Sequence, residues 1–472
     1  MREEVSLERE IQDGSEKLIS TKIYFSSAFG VMLFNFLVFV FGTRVFDFYE
    51  NEVGLNVGII AFVFIIYAIW SIVNNPLIGY FVDKPRKFWS KYGKRFLWII
   101  IGGLCWSLSF IFLFLIPDLD PIKDELFLTI WLLFILCIYS FLFSLYDVNY
   151  GSLIPDKFRT DEQRLRQSSF SIALGVIGTV LGAVIPPLII VYGDKRSFVL
   201  MAIIISLIGV SLVLIQIPGI REDKTMIERA LHINTQNESV SFIKMMKEAL
   251  KHRNFVAYLC IFTSIISSVL LMTASMPYLV RFILNEDAIV ESYLLLGFIV
   301  TGLISVPIWA KIAQKLGDFK KTIIIATLLT VFLTIPFYFV NNLLFAIVSI
   351  ALIGVGLVGI SVMLLPIFGD ILDEATVRNG TKQEGFYVGF RTIFARISII
   401  VQAVTFALIH LLMGFEPGST TQSPRAILGL RIQVSIIPII LLLIGLAIFW
   451  RFYDLTPEKK EGIKKQLKEL DL

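Results

Sequence analysis

Apolar residues fall along this chain in long, nearly unbroken runs, not in the short alternating or three-and-four patterns of a water-soluble core. A helix that crosses a bilayer needs about 20 mainly apolar residues. Twelve runs meet that length, near 22–43, 56–82, 94–116, 126–150, 168–192, 197–217, 255–283, 291–313, 321–340, 343–372, 385–412 and 428–452. The pattern predicts an all-α membrane protein of twelve transmembrane helices. Short polar connections separate most runs, whereas 218–254 is long, polar and basic and ends in the amphipathic stretch "SFIKMMKEALKHR". The expected organisation is therefore a six-helix lobe over 1–217, a linker with an amphipathic helix over 218–254, a second six-helix lobe over 255–452, and a tail over 453–472.

The connections also carry an orientation. "DKPRKFWSKYGKR" after the second run holds six Lys/Arg and "DKFRTDEQRLR" after the fourth holds four, while alternate loops are acidic or neutral. Over all loops the count is roughly 23 on one side against roughly 7 on the other, and positive charge stays cytoplasmic. Both termini are expected inside. The first run has no small-residue cleavage site after it, so no cleaved signal is expected.

Composition agrees with the pattern. The chain is 56% hydrophobic and 13% aromatic, with 41 Phe, and its 17% charged residues fall short of the about 25% of soluble domains. A net charge of +4 is too small and too scattered to suggest nucleic acid. The three cysteines all lie in apolar runs, and no two of the three histidines stand at ligand spacing. No nucleophile–base pair or glycine-rich phosphate loop stands out either, so neither an enzyme nor a metal centre nor a cofactor is expected.

Polar residues inside the runs are the candidates for chemistry, because a charge at mid-membrane costs about 2.5–3.5 kcal/mol and usually faces a cavity or a partner. Asp147, in "FSLYDVNYGSLIPD", precedes Pro155 by eight residues, which places it about 12 Å inside the membrane. Ser144, Tyr150 and Gly151 share its helical face. In "EGFYVGFRTIFARISII" Arg391 lies about 9 Å deep and Arg396 about 16 Å. Arg391 is within snorkelling reach of the interface, whereas Arg396 needs an anionic partner, and Asp147 is the natural one. Asn35 lies mid-depth in the first run, and Trp70, Ser71 and Asn75 in the lower half of the second. Each of these four suits packing or binding about equally.

The halves echo one another, with Pro76 in "NPLIGYFVDKPRKFWSKYGKR" matching Pro307 in "VPIWAKIAQKLGDFKK". Such internal symmetry belongs to two-lobed secondary transporters with a midplane site. The turn "GYFVDKPRK" resembles the G-x-x-x-D-[RK]-x-x-[RK] turn of major facilitator transporters. It predicts a cytoplasmic gate in which Gly79 permits close helix approach and Asp83 either caps a helix end or pairs with Arg86 and Lys87. Asp370, Asp373 and Glu374 form the matching acidic cluster of the other half.

Nearly end to end, and most specifically in "YDVNYGSLIPDKFRTDEQRLRQSS" and "GDILDEATVRNGTKQEGFYVGFRTIFAR", the chain resembles the glycoside–pentoside–hexuronide:cation symporters, the melibiose-permease-like branch of the major facilitator superfamily. The resemblance implies the major facilitator fold, a plasma or inner membrane, and uptake of a sugar, glycoside or uronate by alternating access, driven by Na+ or H+. It implies substrate contacts at Asp147, Asn35 and Arg396, beside which the aromatic edge of Tyr150 and the indole of Trp70 suit a sugar, and a cation site at Asp147, Ser71, Asn75 and Ser144. Two departures stand out. The family's helix-two carboxylates, in a W-D-x-x-x-[DN]-P pattern, read here as "WSIVNNP", and Asn35 replaces a helix-one aspartate. Those losses keep a uniporter open beside a symporter. A lysophospholipid or other amphiphile is the alternative substrate, since the cavity would be rich in Phe and furnished with arginine. The expected partners are thus a small molecule and the bilayer, around a monomer.

Overall fold

The computed structural model describes residues 19–469 apart from 85, 87, 118, 233–245, 247, 248 and 381–383. Among these residues there is no strand. Eleven helices are long and apolar enough to cross a membrane: α1 (Thr21–Val53), α2 (Val57–Val82), α4 (Glu125–Lys157), α5 (Asp161–Ile189), α6 (Lys195–Ile220), α7 (Arg253–Leu284), α8 (Ile289–Leu316), α9 (Phe319–Phe339), α10 (Leu343–Arg378), α11 (Glu384–Met413) and α12 (Pro424–Phe452). The remaining apolar run, 94–116, becomes α3 (Phe96–Phe112), only 17 residues long. A further helix, α13 (Pro457–Glu469), forms most of the tail. Most of the expected amphipathic linker segment lies outside the described residues.

Local chemistry sets the ends. Thr160 and Gln163 form a reciprocal capping box at the start of α5, and Asp194, Asp318, Asn342 and Ser423 cap α6, α9, α10 and α12 with side-chain oxygens. Gly317 closes α8 at φ 60°, a left-handed conformation that suits glycine. α4 runs seven residues past the apolar stretch, through Pro155, because "GSLIPDK" is polar and yet still helical. π-helical turns occupy Phe48–Val53, Leu279–Leu284 and Ile432–Ile436, rotating the side chains beyond them.

Contacts divide the chain into two compact units, residues 1–48 with 69–237 and residues 49–68 with 238–472. The second division falls inside the expected linker. The hairpin tip Tyr49–Ala68 groups with the second unit, whereas the hydropathy pattern placed it in the first lobe. Within each unit the same pairings recur: α1 packs on α5 and α6 as α7 does on α11 and α12, and α3 packs on α4 and α6 as α9 does on α10 and α12. A finer match lies in the clasps. Trp70, six residues before Pro76, donates its indole N–H to the Cys137 carbonyl at 3.1 Å. Thr301, six residues before Pro307, donates its hydroxyl to the Ala351 carbonyl at 2.7 Å. The faint sequence repeat is thus a structural repeat down to equivalent hydrogen bonds.

Candidate functional site

The polar face between α2 and α4 is built from residues four apart, so each helix presents one stripe. Ser71 and Ser140 share a hydroxyl–hydroxyl bond of 2.7 Å, and the Asn74 amide donates to the Ser140 carbonyl at 3.2 Å. Further along, Ile78 and Val82 pack on Leu145. Between that clasp and that apolar contact, by register, lie Asn75 and Ser144. The Oδ1 of Asn75 and the Oγ of Ser144 are both buried without a hydrogen-bond partner. Asp147 is half-buried less than one turn beyond Ser144. Buried polar atoms in native proteins are normally satisfied, so these two bare oxygens each call for a ligand or water. Oxygen-only donors with one formal negative charge fit a small hard cation.

The other residues expected to touch substrate in the first unit have protein partners. Tyr150 is 7% exposed, its hydroxyl donates to the Ser27 carbonyl at 2.7 Å, and its ring stacks on Tyr146 at 5.6 Å. Tyr146 in turn donates to Gln216 at 2.8 Å. Gly30 makes room for this stack, since a Cβ there would lie 2.3 Å from the Tyr150 ring. The Asn35 amide donates to the Gly175 carbonyl at 3.0 Å, and Trp70 is held as described. These three side chains tie α1 to α4 and α5, and α2 to α4.

The gate turn differs from expectation. Asp83 pairs with Lys94 at 2.7 Å, not with Arg86, whose guanidinium lies 4.6 Å over the Phe81 ring. A Cβ at Gly79 would meet nothing within 4 Å, so no close helix approach requires that glycine. Lys87 lies outside the described residues. A neighbour not foreseen from sequence is Glu222, just past α6 and 8% exposed. Its carboxylate accepts from the backbone N–H groups of Lys94, Arg95 and Phe96 at 2.9, 2.6 and 3.0 Å, capping the start of α3.

In the second unit the acidic cluster of α10 is engaged locally. Asp370 pairs with Lys460 of α13, and Glu374 meets His252 at 2.7 Å and the Asn254 amide at 2.9 Å. Asp373 lies half-buried between them. On α11, Arg391 is sandwiched in an aromatic shelf, 4.5 Å over Phe368 and 5.6 Å over Phe262, with Nη1 donating to the Tyr258 hydroxyl at 3.4 Å. Arg396 is half-buried five residues further on.

The second unit also holds a buried charged cluster that the hydropathy reading passed over. Glu50, in the π-helical end of α1, is fully buried and meets His410 Nδ1 at 2.7 Å and the Tyr278 hydroxyl at 2.5 Å. Next to it Glu52 pairs with Arg281 at 2.6 Å. Arg281 and His410 were visible as polar residues inside apolar runs. Glu50 and Glu52 were not, because they sit between two runs and read as loop.

Comparison with known proteins adds ancestry. A family model described as "MFS/sugar transport protein" matches residues 23–457. The sodium-dependent lysophosphatidylcholine symporter 1-A of Danio rerio is 25% identical over 88% of this chain and 82% of its own. The lactose permease of Lactobacillus delbrueckii subsp. bulgaricus is 23% identical over 96% of this chain and 73% of its own. Among solved structures, a point mutant of the nucleoside transporter NupG matches with a TM-score of 0.59 at 12% identity, covering 91% of this chain and 98% of that one.

Proposed function

The chain belongs to the MFS/sugar transport protein family and is a multi-pass membrane transporter of the major facilitator fold, and from that premise we propose that it carries a lysophospholipid-like amphiphile by alternating access, coupled to Na+. The observation that carries this reading is how the polar side chains are used. A sugar needs many free donors and acceptors, yet Asn35, Trp70 and Tyr150 direct polar atoms at backbone carbonyls of their own unit. Arg391, by contrast, offers a guanidinium on a shelf of Phe262, Phe368 and Tyr258. A planar fork of donors set in aromatic walls suits a phosphate headgroup followed by an acyl chain. The lysophosphatidylcholine symporters among the relatives support the same reading.

In this proposal Asp147, Asn75 and Ser144 supply oxygens to the sodium ion, and Ser71 joins them when it leaves Ser140. Arg396 adds a second positive charge for the headgroup on α11. The termini face the cytoplasm, as do the charged turn of Asp83, Arg86 and Lys87 and the acidic cluster of Asp370 and Asp373. A second reading, transport of a sugar or uronate, keeps the same cation site and is favoured by Asp147 as a hydroxyl acceptor and by the lactose permease among the relatives.

Uptake into proteoliposomes decides between them. Labelled lysophosphatidylcholine, lactose and glucuronate are each offered with no gradient, a sodium gradient and a proton gradient. Sodium-driven accumulation of lysophosphatidylcholine alone, reduced at least about tenfold by Arg391→Gln and partly restored by Arg391→Lys, is the expected result. Accumulation of lactose or glucuronate with lysophosphatidylcholine inert overturns the lipid assignment.

A further inference from the structure

His410 is 1% exposed and sits in a cage of rings, with Phe415 stacked at 4.4 Å, and Tyr278 and Phe406 each at 5.3 Å. Its Nδ1 faces Glu50 at 2.7 Å, while the second Glu50 oxygen accepts from Tyr278. A carboxylate on Nδ1 selects the tautomer that donates from Nδ1 and leaves Nε2 as a bare lone pair. That Nε2 is buried and has no hydrogen-bond partner. A segment after α11 covers the cage, held by Phe415 N donating to the His410 carbonyl at 2.9 Å and Gly418 N donating to the Glu50 carbonyl at 3.0 Å.

We propose that His410 Nε2 is a proton-binding site, with Glu50 as its positioning residue, and that proton binding releases the covering segment 414–423. The inference goes beyond the transport reading and does not depend on the substrate. A proton on Nε2 creates an imidazolium whose new N–H has no acceptor in the closed cage. Glu50 and the ring faces stabilise its charge. The unmade hydrogen bond still favours any arrangement in which water reaches Nε2. Water gains access only if Phe415 lifts, and Phe415 is carried by the covering segment. Protonation and opening are then linked, each promoting the other.

The charged neighbours set the balance. Glu52 and Arg281 neutralise one another beside the pair at 2.6 Å. Arg44 and Asp47 lie earlier on α1, both buried. Glu416 and Arg425, on the covering segment and at the start of α12, are exposed. Removing Glu50 leaves the Glu52–Arg281 bridge beside it in place.

The chain has three histidines, so nitrogen-15 histidine labelling gives three ring signals, and His232→Asn and His252→Asn assign His410 by elimination without touching it. The purified protein is titrated in detergent from about pH 8.5 to about pH 5. The expected result is a His410 ring that passes from a bare Nε2 to a doubly protonated form in the wild type, and a ring that loses its preference for the Nδ1–H tautomer in Glu50→Gln. In parallel, hydrogen exchange of 414–423, corrected for intrinsic rate, rises about tenfold on acidification in the wild type and not in His410→Gln. A His410 ring that stays neutral throughout overturns the site. A ring that titrates while 414–423 exchanges equally at both ends overturns the release. Both outcomes are read on the wild type, so they stand even if His410→Gln fails to fold.

Discussion

Single side chains in this protein sort by how far they are sealed from their surroundings. Tyr150 and Asp147 stand three residues apart on α4, yet one is sealed and the other half-buried. Tyr150→Phe removes the second hydrogen bond to the Ser27 carbonyl, which costs about 0.5–1.5 kcal/mol. A lowered unfolding temperature with unchanged KM is expected; a KM raised several-fold would return the hydroxyl to the substrate site. Asp147→Asn removes the formal negative charge from the proposed cation site. Sodium-driven accumulation is then lost while downhill equilibration persists, as flux with and without a sodium gradient will report. Survival of accumulation in that variant would place the coupling ion elsewhere. These residues were legible in the sequence as anomalies, polar atoms in apolar runs. Their roles were not, because the Ser27 and Gly175 carbonyls that answer Tyr150 and Asn35 lie 123 and 140 residues away.

At the scale of helices, hydropathy found all twelve runs because the bilayer length is written directly into apolar spacing. What it missed is what other forces decide. α4 outlasts its apolar stretch, and the π-helical end of α1 carries Glu50 into a buried position beyond the point where the apolar run stops. The gate turn shows the same limit, since Asp83 found Lys94 eleven residues on in place of its nearer candidate. Helix contact supplies its own test. Gly30 lets α1 close on the Tyr150 ring, and a Cβ there would also come within 2.8 Å of Gln216. Gly30→Ala should destabilise the first unit by about 1–3 kcal/mol. Adding Tyr150→Leu should recover part of that loss, a coupling that thermal unfolding of the two single variants and the double can measure.

For the whole molecule, the allegiance of Tyr49–Ala68 is not carried by the apolar pattern, since it depends on contacts made with residues beyond 238. The tail is likewise part of the second unit, tied down by Lys460 on Asp370 and by Asp454. A hydrogen bond from Lys459, aided by Asn254, holds the Asp454 carboxyl below its usual range against the opposing effect of burial. A carboxyl lowered in the folded state stabilises that state above its unfolded pKa, and the benefit fades as pH falls through the lowered folded value. Asp454 is 46% exposed, so the contribution is under about 1 kcal/mol. Asp454→Asn should speed hydrogen exchange of Pro457–Glu469 about two- to threefold at neutral pH, and the difference should shrink as pH falls below the ordinary carboxylate range. Equal exchange at neutral pH would detach Asp454 from the tail. The Glu222 cap on α3 carries a consequence for the order of synthesis. The backbone amides of Lys94, Arg95 and Phe96 emerge from the ribosome well before their acceptor, and three more spans are made in between. α3, the shortest of the twelve, therefore waits at its charged end until the sixth helix has been completed, and a nascent chain arrested just before residue 222 holds six spans without the clasp that finishes the first unit.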